Sequence, residues 1–258
     1  ANNAHLGEFG SETNLVNAKG EILESLSKDG KAIINKSSPH KRTWKEMSGT
    51  ENLTFFGNDS GINASDIKEF KSHINFNLSF GDVSLNINLS MIGLHQVDNA
   101  LAAAACAIEL GIAPDLIKKG LENALPEKGR LELIELEDFR ILDDSYNANP
   151  QSMKAAIDTL SNFSGEKILV LGSMGELGID SKKMHQEIGE YARQSNANHL
   201  LTIGEDAKEY QGRPFKDITS IFNEIQNKHK GSTILIKGSR MMRLNELVDI
   251  LVNTSNSS

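Results

Sequence analysis

The second half of the chain alternates short apolar runs with helix-like stretches, and this alternation constrains the fold more than any other feature. The apolar runs have the length of buried strands and lie near residues 167–171, 199–203 and 232–236. The helix-like stretches between and around them lie near residues 150–162, 181–195, 217–229 and 243–251. Because strand–helix alternation is typical of βαβ units, the pattern predicts a mostly parallel sheet with helices on both faces.

The first half of the chain has a more mixed pattern. Apolar runs predict strands, and the alternating pair around Gly81-Asp82 is typical of a hairpin; these runs are 32–35, 53–56, 74–80 and 83–89. Helical spacing predicts helices at 11–26, 95–110 and 114–124. Residues 126–129 indicate a linker, after which two apolar runs at 131–136 and 139–143 predict a second hairpin. We therefore expect an α/β protein with two domains, residues 1–125 and 126–258, the second of them Rossmann-like.

Composition excludes some classes of function. The formal net charge of −8 argues against a general binder of nucleic acid or anionic membranes. No apolar run approaches the roughly 18 residues of a membrane helix, so we expect no membrane span. The single cysteine, Cys106, lies in an alanine-rich stretch, which favours a small core residue in a reducing cytoplasm. The chain begins without methionine in what looks like a loop, so we expect it to be a fragment.

The octapeptide Asp-Asp-Ser-Tyr-Asn-Ala-Asn-Pro at residues 143–150 is the strongest candidate for ligand chemistry. It joins an apolar run to a helix-like stretch, and it crowds two acids, a phenol and two amides into that connection. Loops at the carboxyl ends of strands are where α/β proteins place ligand-binding residues. The alternative is a polar turn that caps a helix.

Other segments carry polar groups that are also open to a plain structural interpretation. Lys19 is followed by Gly20 within a predicted helix, and a glycine there costs about 1 kcal/mol relative to alanine, which suggests a close approach of the backbone to another group. The glycine loop at 172–178 follows a strand but is Gly-x-x-Gly-x-x-Gly, which differs from the dinucleotide-binding pattern. Residues 129–132 and 237–240 contain basic side chains that could be simple linker or turn cations.

Taken in order, these segments resemble the Mur ligases of peptidoglycan synthesis, and the resemblance covers nearly the whole chain. The similar segments are Ala-His-Leu-Gly-Glu-Phe-Gly-Ser at 4–11, Ala-Lys-Gly-Glu-Ile at 18–22, Gly-Leu-His-Gln-Val-Asp-Asn-Ala at 93–100, Gly-Arg-Leu-Glu at 129–132, the octapeptide, the glycine loop and Lys-Gly-Ser-Arg at 237–240. In this family the glycine loop usually has an aspartate where Ser173 stands. The resemblance implies that residues 1–125 are the distal part of a P-loop-type ATPase domain and that residues 126–258 are the C-terminal domain.

The resemblance also implies a magnesium site in the first domain. His5 is expected to contribute to it, and Lys19 is expected to carry a carbamate formed with carbon dioxide. The chemistry is reasonable because Mg²⁺ prefers oxygen ligands, which a carbamate has and an ammonium group lacks. A lysine on a helix is otherwise an ordinary surface charge.

Contacts with ATP are implied for several further residues. His95, Gln96 and Asn99 are expected to face the nucleotide, with the amides near the adenine, although Gln96 stands where the family usually has asparagine. Arg130 is expected to contact the nucleotide, and a guanidinium suits a polyphosphate because its charge and its fork of donors are fixed. Asp144 is expected to hold the ribose hydroxyls.

The remaining candidates are expected to face the substrate: Tyr146, Asn147, Asn149, Lys237 and Arg240. The Ser-Tyr-Asn-Ala-Asn-Pro part of the octapeptide is most similar to the family member that joins D-alanyl-D-alanine to UDP-N-acetylmuramoyl-tripeptide. The resemblance thus implies ATP-dependent amide formation through an acyl phosphate, in the cytoplasm, by a monomer.

The chain contains no Gly-x-x-x-x-Gly-Lys-[Ser/Thr] loop, which these ligases use to hold phosphates. We expect the N-terminal UDP-binding domain and that loop to lie upstream, and we expect the 258 residues alone not to turn over ATP. Three alternatives stay open: a non-catalytic module that binds a nucleotide or a dipeptide, another Mur-type amide ligase, or a nicotinamide-dependent oxidoreductase, for which only the glycine loop and the α/β pattern argue.

Overall fold

In a computed structural model of the chain, residues 6–255 are described, apart from the side chains of Leu6 and Glu8. The residues divide into two compact units. The first runs from Phe9 to Leu125, and the second contains the residues from Pro126 onward together with Leu6–Glu8.

The first unit is an α/β layer structure. Helix α1 (Leu6–Phe9) has three of its four residues in the second unit, and the helices of the first unit are α2 (Glu12–Glu24), α3 (Lys41–Met47), α4 (His95–Glu109) and α5 (Pro114–Glu122). Its strands are β1 (Ala32–Asn35), β2 (Leu53–Phe56), β3 (Ile62–Glu69), β4 (Ile74–Phe80) and β5 (Val83–Leu89). The strands form one sheet in the order β1-β2-β3-β4-β5, in which β1, β2 and β3 are parallel and β3, β4 and β5 are antiparallel. Apolar residues of β4 and β5 pack against α4 and α5 in its core.

Two elements of this unit were not predicted, for identifiable reasons. Helix α3 has no buried residue, so its sequence lacks the apolar period that marks a helix. Strand β3 alternates poorly because its second half is exposed, and it is interrupted by a register shift near Asp66, whose φ is 50°.

The prediction that Cys106 is a core residue was wrong. Helix α4 buries one face, formed by Val97, Ala100, Leu101, Ala104 and Ala105. Cys106 follows these alanines but points away from that face, and its side chain is exposed. A stretch rich in alanine gives little contrast between faces, which is why the sequence did not separate them.

The second unit has the predicted strand–helix alternation. Its strands are β6 (Glu132–Glu135), β7 (Arg140–Asp144), β8 (Lys167–Gly172), β9 (His199–Ile203), β10 (Arg213–Phe215) and β11 (Thr233–Lys237). Its helices are α6 (Pro150–Ser161), α7 (Ser181–Gln194), α8 (Ile218–Lys228) and α9 (Asn245–Ser255). The sheet order is β10-β9-β8-β11-β7-β6, and only the β6–β7 hairpin is antiparallel among these pairs.

Helices cover both faces of this sheet. Ile168, Val170, Ile234 and Ile236 pack with residues of α8 and α9, while the alternate residues of β8 and β11 are equally buried and α6 contacts both strands. The expected α/β class, with a mostly parallel second sheet, is therefore confirmed. No helix within residues 6–255 is both long and apolar enough to cross a membrane.

Candidate functional site

The carboxyl ends of β7 and β11 bring two of the candidate residues into direct contact. Asp144 and Lys237 are opposite each other in the parallel register. The Lys237 Nζ lies 2.6 Å from Asp144 Oδ2 and donates a second hydrogen bond, of 2.8 Å, to the Asn147 carbonyl oxygen. The side chains are 2% and 16% exposed, respectively. A buried ammonium is tolerated when it is paired and hydrogen-bonded in this way, so Lys237 holds the octapeptide loop to the end of the sheet.

Asp143, the neighbour of this pair, is a buried carboxyl that the sequence motif contained but to which we assigned no role. Its Oδ1 accepts a 3.1 Å hydrogen bond from the Ser145 backbone N–H. Its Oδ2 is buried, and no partner for it lies among the described residues. Burial raises the pKa of this carboxyl, and the nearby Asp144 carboxylate raises it further. Because successive residues of a strand face opposite sides, the pair Asp143-Asp144 at the end of β7 indicates that one of the two acids points into the protein.

Tyr146 lies between two arginines from different parts of the chain. The Arg130 guanidinium carbon is 4.4 Å from the centroid of the Tyr146 ring, and that of Arg240 is 5.3 Å from it. The ring is 43% exposed, so both cations are accessible from solvent beside an aromatic surface. This arrangement, which we call the Arg–Tyr–Arg cluster, can bind a polyanion through its guanidinium donors.

Gly129 allows Arg130 to reach the octapeptide. Its φ is +77°, and the Tyr146 N–H donates a 3.0 Å hydrogen bond to its carbonyl oxygen. A Cβ at this position would lie 3.2 Å from the Tyr146 nitrogen, so a side chain would be both strained and crowded. Two motifs separated in sequence therefore form one surface.

Asn147 and Asn149 have local structural roles in the loop. The Asn147 Oδ1 accepts a 2.8 Å hydrogen bond from the Ala148 N–H. Asn149 caps α6, where its Oδ1 accepts from the Ser152 N–H at 2.9 Å, and the Ser152 hydroxyl completes a capping box. The helix-cap interpretation of the octapeptide is therefore correct for Asn149, and the cap uses the side-chain oxygen of this residue.

The glycine loop after β8 is held by His185, which the sequence did not single out, and by Ser173, which was noted only for its departure from the family pattern. The Met174 N–H donates to His185 Nε2 at 2.9 Å, and the fully buried imidazole donates from Nδ1 to the Ser181 carbonyl oxygen. Ser173 accepts through its Oγ from the Ala207 N–H and through its carbonyl oxygen from the Ser239 N–H. The loop thereby connects to the Lys-Gly-Ser-Arg segment, and together they line a cleft of about 410 Å³.

In the first unit, Lys19 lies on the exposed side of α2 and lines a cavity of about 340 Å³ together with Asn35, Trp44 and Cys106. The close neighbour of Gly20 is protein, because a Cβ there would lie 2.5 Å from the Met47 sulfur of α3. His5, the other expected magnesium ligand, lies outside the described residues.

His95, Gln96 and Asn99 occupy the first turn of α4. The Asn99 Nδ2 donates a 2.9 Å hydrogen bond to Gln96 Oε1, so the two amides are paired with each other. His95 and Asn99 are exposed. The candidate residues thus form groups within each unit: the amides with His95 in the first, and the Arg–Tyr–Arg cluster with Asp144 and Lys237 in the second.

Comparison with family models and known proteins gives matches for both units. Residues 1–107 match the model of the Mur ligase middle domain, and residues 129–240 match that of the Mur ligase, glutamate ligase domain. The chain is 35% identical over 260 residues to UDP-N-acetylmuramoyl-tripeptide–D-alanyl-D-alanine ligase of Escherichia coli (strain K12), and the match covers 96% of this chain and 58% of that protein.

Solved structures agree with these matches. A crystal structure of MurF from Acinetobacter baumannii superposes with a TM-score of 0.90 at 32% identity, covering 97% of this chain and 57% of that one. MurF ligase from Thermotoga maritima in complex with ADP gives a TM-score of 0.86 at 24% identity, covering 96% and 59%, which shows similarity of fold. The chain thus spans somewhat more than half the length of these relatives.

Proposed function

Because the chain belongs to the Mur ligases, we propose that it forms part of an ATP-dependent ligase that joins D-alanyl-D-alanine to UDP-N-acetylmuramoyl-tripeptide. The relatives that are 35% identical carry this activity in their names. The observation that carries the proposal is the Arg–Tyr–Arg cluster, which presents two cations beside the Asp144–Lys237 pair at the carboxyl end of a parallel sheet. Ligands of open α/β sheets bind at the carboxyl ends of the strands.

The second unit has groups that fit a nucleotide. The guanidinium groups of Arg130 and Arg240 are suited to phosphate oxygens, and Asp144 keeps an oxygen that is not engaged by Lys237 for the ribose hydroxyls. In the first unit, the paired amides of Gln96 and Asn99, next to His95, offer both donors and acceptors to an adenine. A protein of the same fold, MurF ligase from Thermotoga maritima, was solved in complex with ADP, which is compatible with a nucleotide as the ligand.

The proposed magnesium ligands are His5 and a carbamate on Lys19. One observation supports the magnesium assignment. The exposed Lys19 lines a cavity that Asn35 also lines, so an amide lies near the place where a carbamate would form. A carbamate would supply oxygen to the metal, and the metal would neutralise phosphate charge.

Transfer would proceed by attack of the tripeptide carboxylate on the γ-phosphate of ATP, which breaks the bond to the β,γ-bridging oxygen, releases ADP and gives an acyl phosphate. The dipeptide amine would then attack the acyl carbon, lose a proton and displace inorganic phosphate, which forms the amide. Arg130 and Arg240 would stabilise the negative charge that develops in both steps. Tyr146, Asn147 and Asn149 would face the acyl phosphate or the dipeptide. Lys237 would act by positioning, because its ammonium is occupied by Asp144 and the Asn147 carbonyl.

The isolated chain is a different case, since its 258 residues contain no Gly-x-x-x-x-Gly-Lys-[Ser/Thr] loop. We propose that it does not turn over ATP by itself and acts at most as a nucleotide- or dipeptide-binding module. Phosphate release from ATP by the purified chain, dependent on D-alanyl-D-alanine, would overturn this. The cytoplasmic location and the monomeric state remain predictions.

A chimera tests the proposed reaction. The part of the Escherichia coli relative that precedes its match to this chain is joined to residues 1–258, and phosphate release from ATP is measured with UDP-N-acetylmuramoyl-tripeptide. We expect release that requires D-alanyl-D-alanine and is accompanied by the pentapeptide product. Release that requires a different amine, such as a single amino acid, would assign the chain to another Mur-type ligase.

A further inference from the structure

Three side chains that are suited to hold a metal ion meet at the amino ends of the strands in the second unit. Glu166 precedes β8, His199 begins β9, and His229 lies between α8 and β11. One ligand atom from each lies within 4.8 Å of the others. Asp144 and Lys237 lie at the opposite, carboxyl ends of the strands. Strands of this length separate the two groups by about 15 Å, so the three side chains are separate from the site described above.

The distances within this group match those between ligands of one ion. The His199 Nε2 lies 2.9 Å from Glu166 Oε1, and the His229 Nδ1 lies 3.1 Å from the same oxygen. The two imidazole rings have centroids 4.5 Å apart and are inclined at 54°. In a tetrahedral site with bonds of about 2.0 Å, neighbouring ligand atoms are about 3.3 Å apart, so small side-chain adjustments would admit an ion.

The backbone holds all three residues in place without the ion. The Thr233 N–H donates to the Glu166 carbonyl oxygen at 2.8 Å, which ties the start of β11 to the start of β8. His199 is paired in register with Ile168. The His229 N–H donates to the Ile225 carbonyl oxygen at the end of α8. Because the ligand-bearing positions belong to a regular sheet, binding would need little ordering of the chain.

Solvent reaches the group from one side. The His229 side chain is 6% exposed, while those of Glu166 and His199 are 34% and 42% exposed. An ion would therefore enter from solvent, rest against the buried imidazole and keep a water molecule in the fourth position.

We propose that Glu166, His199 and His229 bind one zinc-class divalent cation, and that the ion stabilises the second unit by linking β8, β9 and the segment before β11. Two imidazoles and a carboxylate favour Zn²⁺, Co²⁺ or Ni²⁺ over Mg²⁺, which prefers oxygen ligands throughout. The site does not depend on the proposed ligase activity, and the ligand residues are separated in sequence by 33 and 63 positions from Glu166.

Binding would change the hydrogen bonds of the group. Glu166 Oε1 is within hydrogen-bond distance of both rings, whereas a bound ion would require His199 to carry its proton on Nδ1 and His229 on Nε2.

The test is titration of the 258-residue chain with Zn²⁺ by calorimetry, and with Co²⁺ by visible absorption, after treatment with a chelator. We expect a saturable site that His199→Gln and Glu166→Gln each weaken by at least about tenfold. His73→Gln, which changes a histidine of the first unit, should bind as the unaltered chain does. Zn²⁺ should also raise the Tm of the unaltered chain and not that of His199→Gln.

His199 is partly exposed at the start of an inner strand, so its replacement should leave the fold intact, and circular dichroism checks this. The absence of saturable binding in the unaltered chain would overturn the proposal. Equal affinity in the unaltered chain, His199→Gln and Glu166→Gln would overturn it as well, because the ion would then be bound elsewhere. Neither result would bear on the ligase activity, which the chimera measures separately.

Discussion

At the scale of single residues, Asp143 is a carboxyl group within the octapeptide whose burial disfavours its ionised form. The carboxyl is fully buried and its pKa is raised above the usual value of 3.8, mainly by burial. The folded state therefore favours the protonated form. The stability that Asp143 contributes is fully present below about pH 4 and is lost as the pH rises through the higher folded-state pKa.

Asp143→Asn removes this pH dependence while keeping an oxygen that can accept from the Ser145 N–H. We expect the free energy of unfolding of the variant, relative to the unaltered chain, to increase as the pH is raised from about 4 to neutrality. Urea denaturation at several pH values measures this, and Asp180→Asn, at an exposed carboxyl of the same unit, controls for the loss of a negative charge. If the difference in free energy of unfolding between Asp143→Asn and the unaltered chain stays constant with pH, the folded state does not disfavour the ionised form of Asp143, and the expectation is wrong.

Sequence reasoning identified many of these residues but not their partners. Asp144 and Tyr146 lie in the octapeptide that strand-end chemistry singled out, whereas Arg130 and Lys237 were candidates only through the resemblance to the Mur ligases. That Lys237 pairs with Asp144 depends on the register of two strands 93 positions apart in the chain, since Asp144 lies opposite Lys237. Such a pairing follows from sheet topology and has no local signal.

At the scale of elements, the Asp144–Lys237 ion pair joins the ends of the neighbouring strands β7 and β11 to the loop that precedes α6. Lys237→Met would leave Asp144 without its countercharge and the Asn147 carbonyl without its donor. We expect a loss of about 3 kcal/mol in the free energy of unfolding, because breaking one partner of a buried pair costs more than the pair contributes.

A double-mutant cycle with Asp144→Asn separates the interaction from the individual effects. We expect the loss in the double variant to be smaller than the sum of the two single losses by about 1–3 kcal/mol, measured by chemical denaturation. The exposed pair Lys230–Asp138, with a 2.8 Å separation, is the matched control, and its coupling should be below about 1 kcal/mol. Equal coupling in the two pairs would contradict the account.

Elements with a clear period were predicted, and elements without one were missed. In the second unit every predicted strand and helix is present to within a few residues, and its central strands β8 and β11 are buried on both faces. The short strand β10 is mostly exposed and was not predicted. Helix α3 and strand β3 expose most of their residues, so their sequences carry no period from which to infer them. The exposure of Cys106 was missed for a different reason, because the alanine-rich stretch around it gives little contrast between the two faces of α4.

At the scale of the whole molecule, the two units carry different groups of candidate residues. The first contributes Lys19 and the amides of α4, and the second contributes the Arg–Tyr–Arg cluster, which has the more specific arrangement. The two units match the Mur ligase middle domain and the Mur ligase, glutamate ligase domain, while Glu166, His199 and His229 lie at the amino ends of strands in the second unit, away from the cluster. The proposed function therefore depends most on whether the Arg–Tyr–Arg cluster binds the nucleotide.

The most direct measurement is kcat/KM for ATP in the chimera, with D-alanyl-D-alanine and the UDP-linked tripeptide at saturation, for Arg130→Ala. A guanidinium that bonds phosphate oxygens in the transition state should be worth roughly a 10- to 100-fold loss. Arg42→Ala, whose side chain is 90% exposed on α3, should change nothing. A loss in Arg130→Ala alone is the predicted result, and equal kcat/KM values in the two variants and the unaltered chimera would contradict the nucleotide-binding role of the cluster.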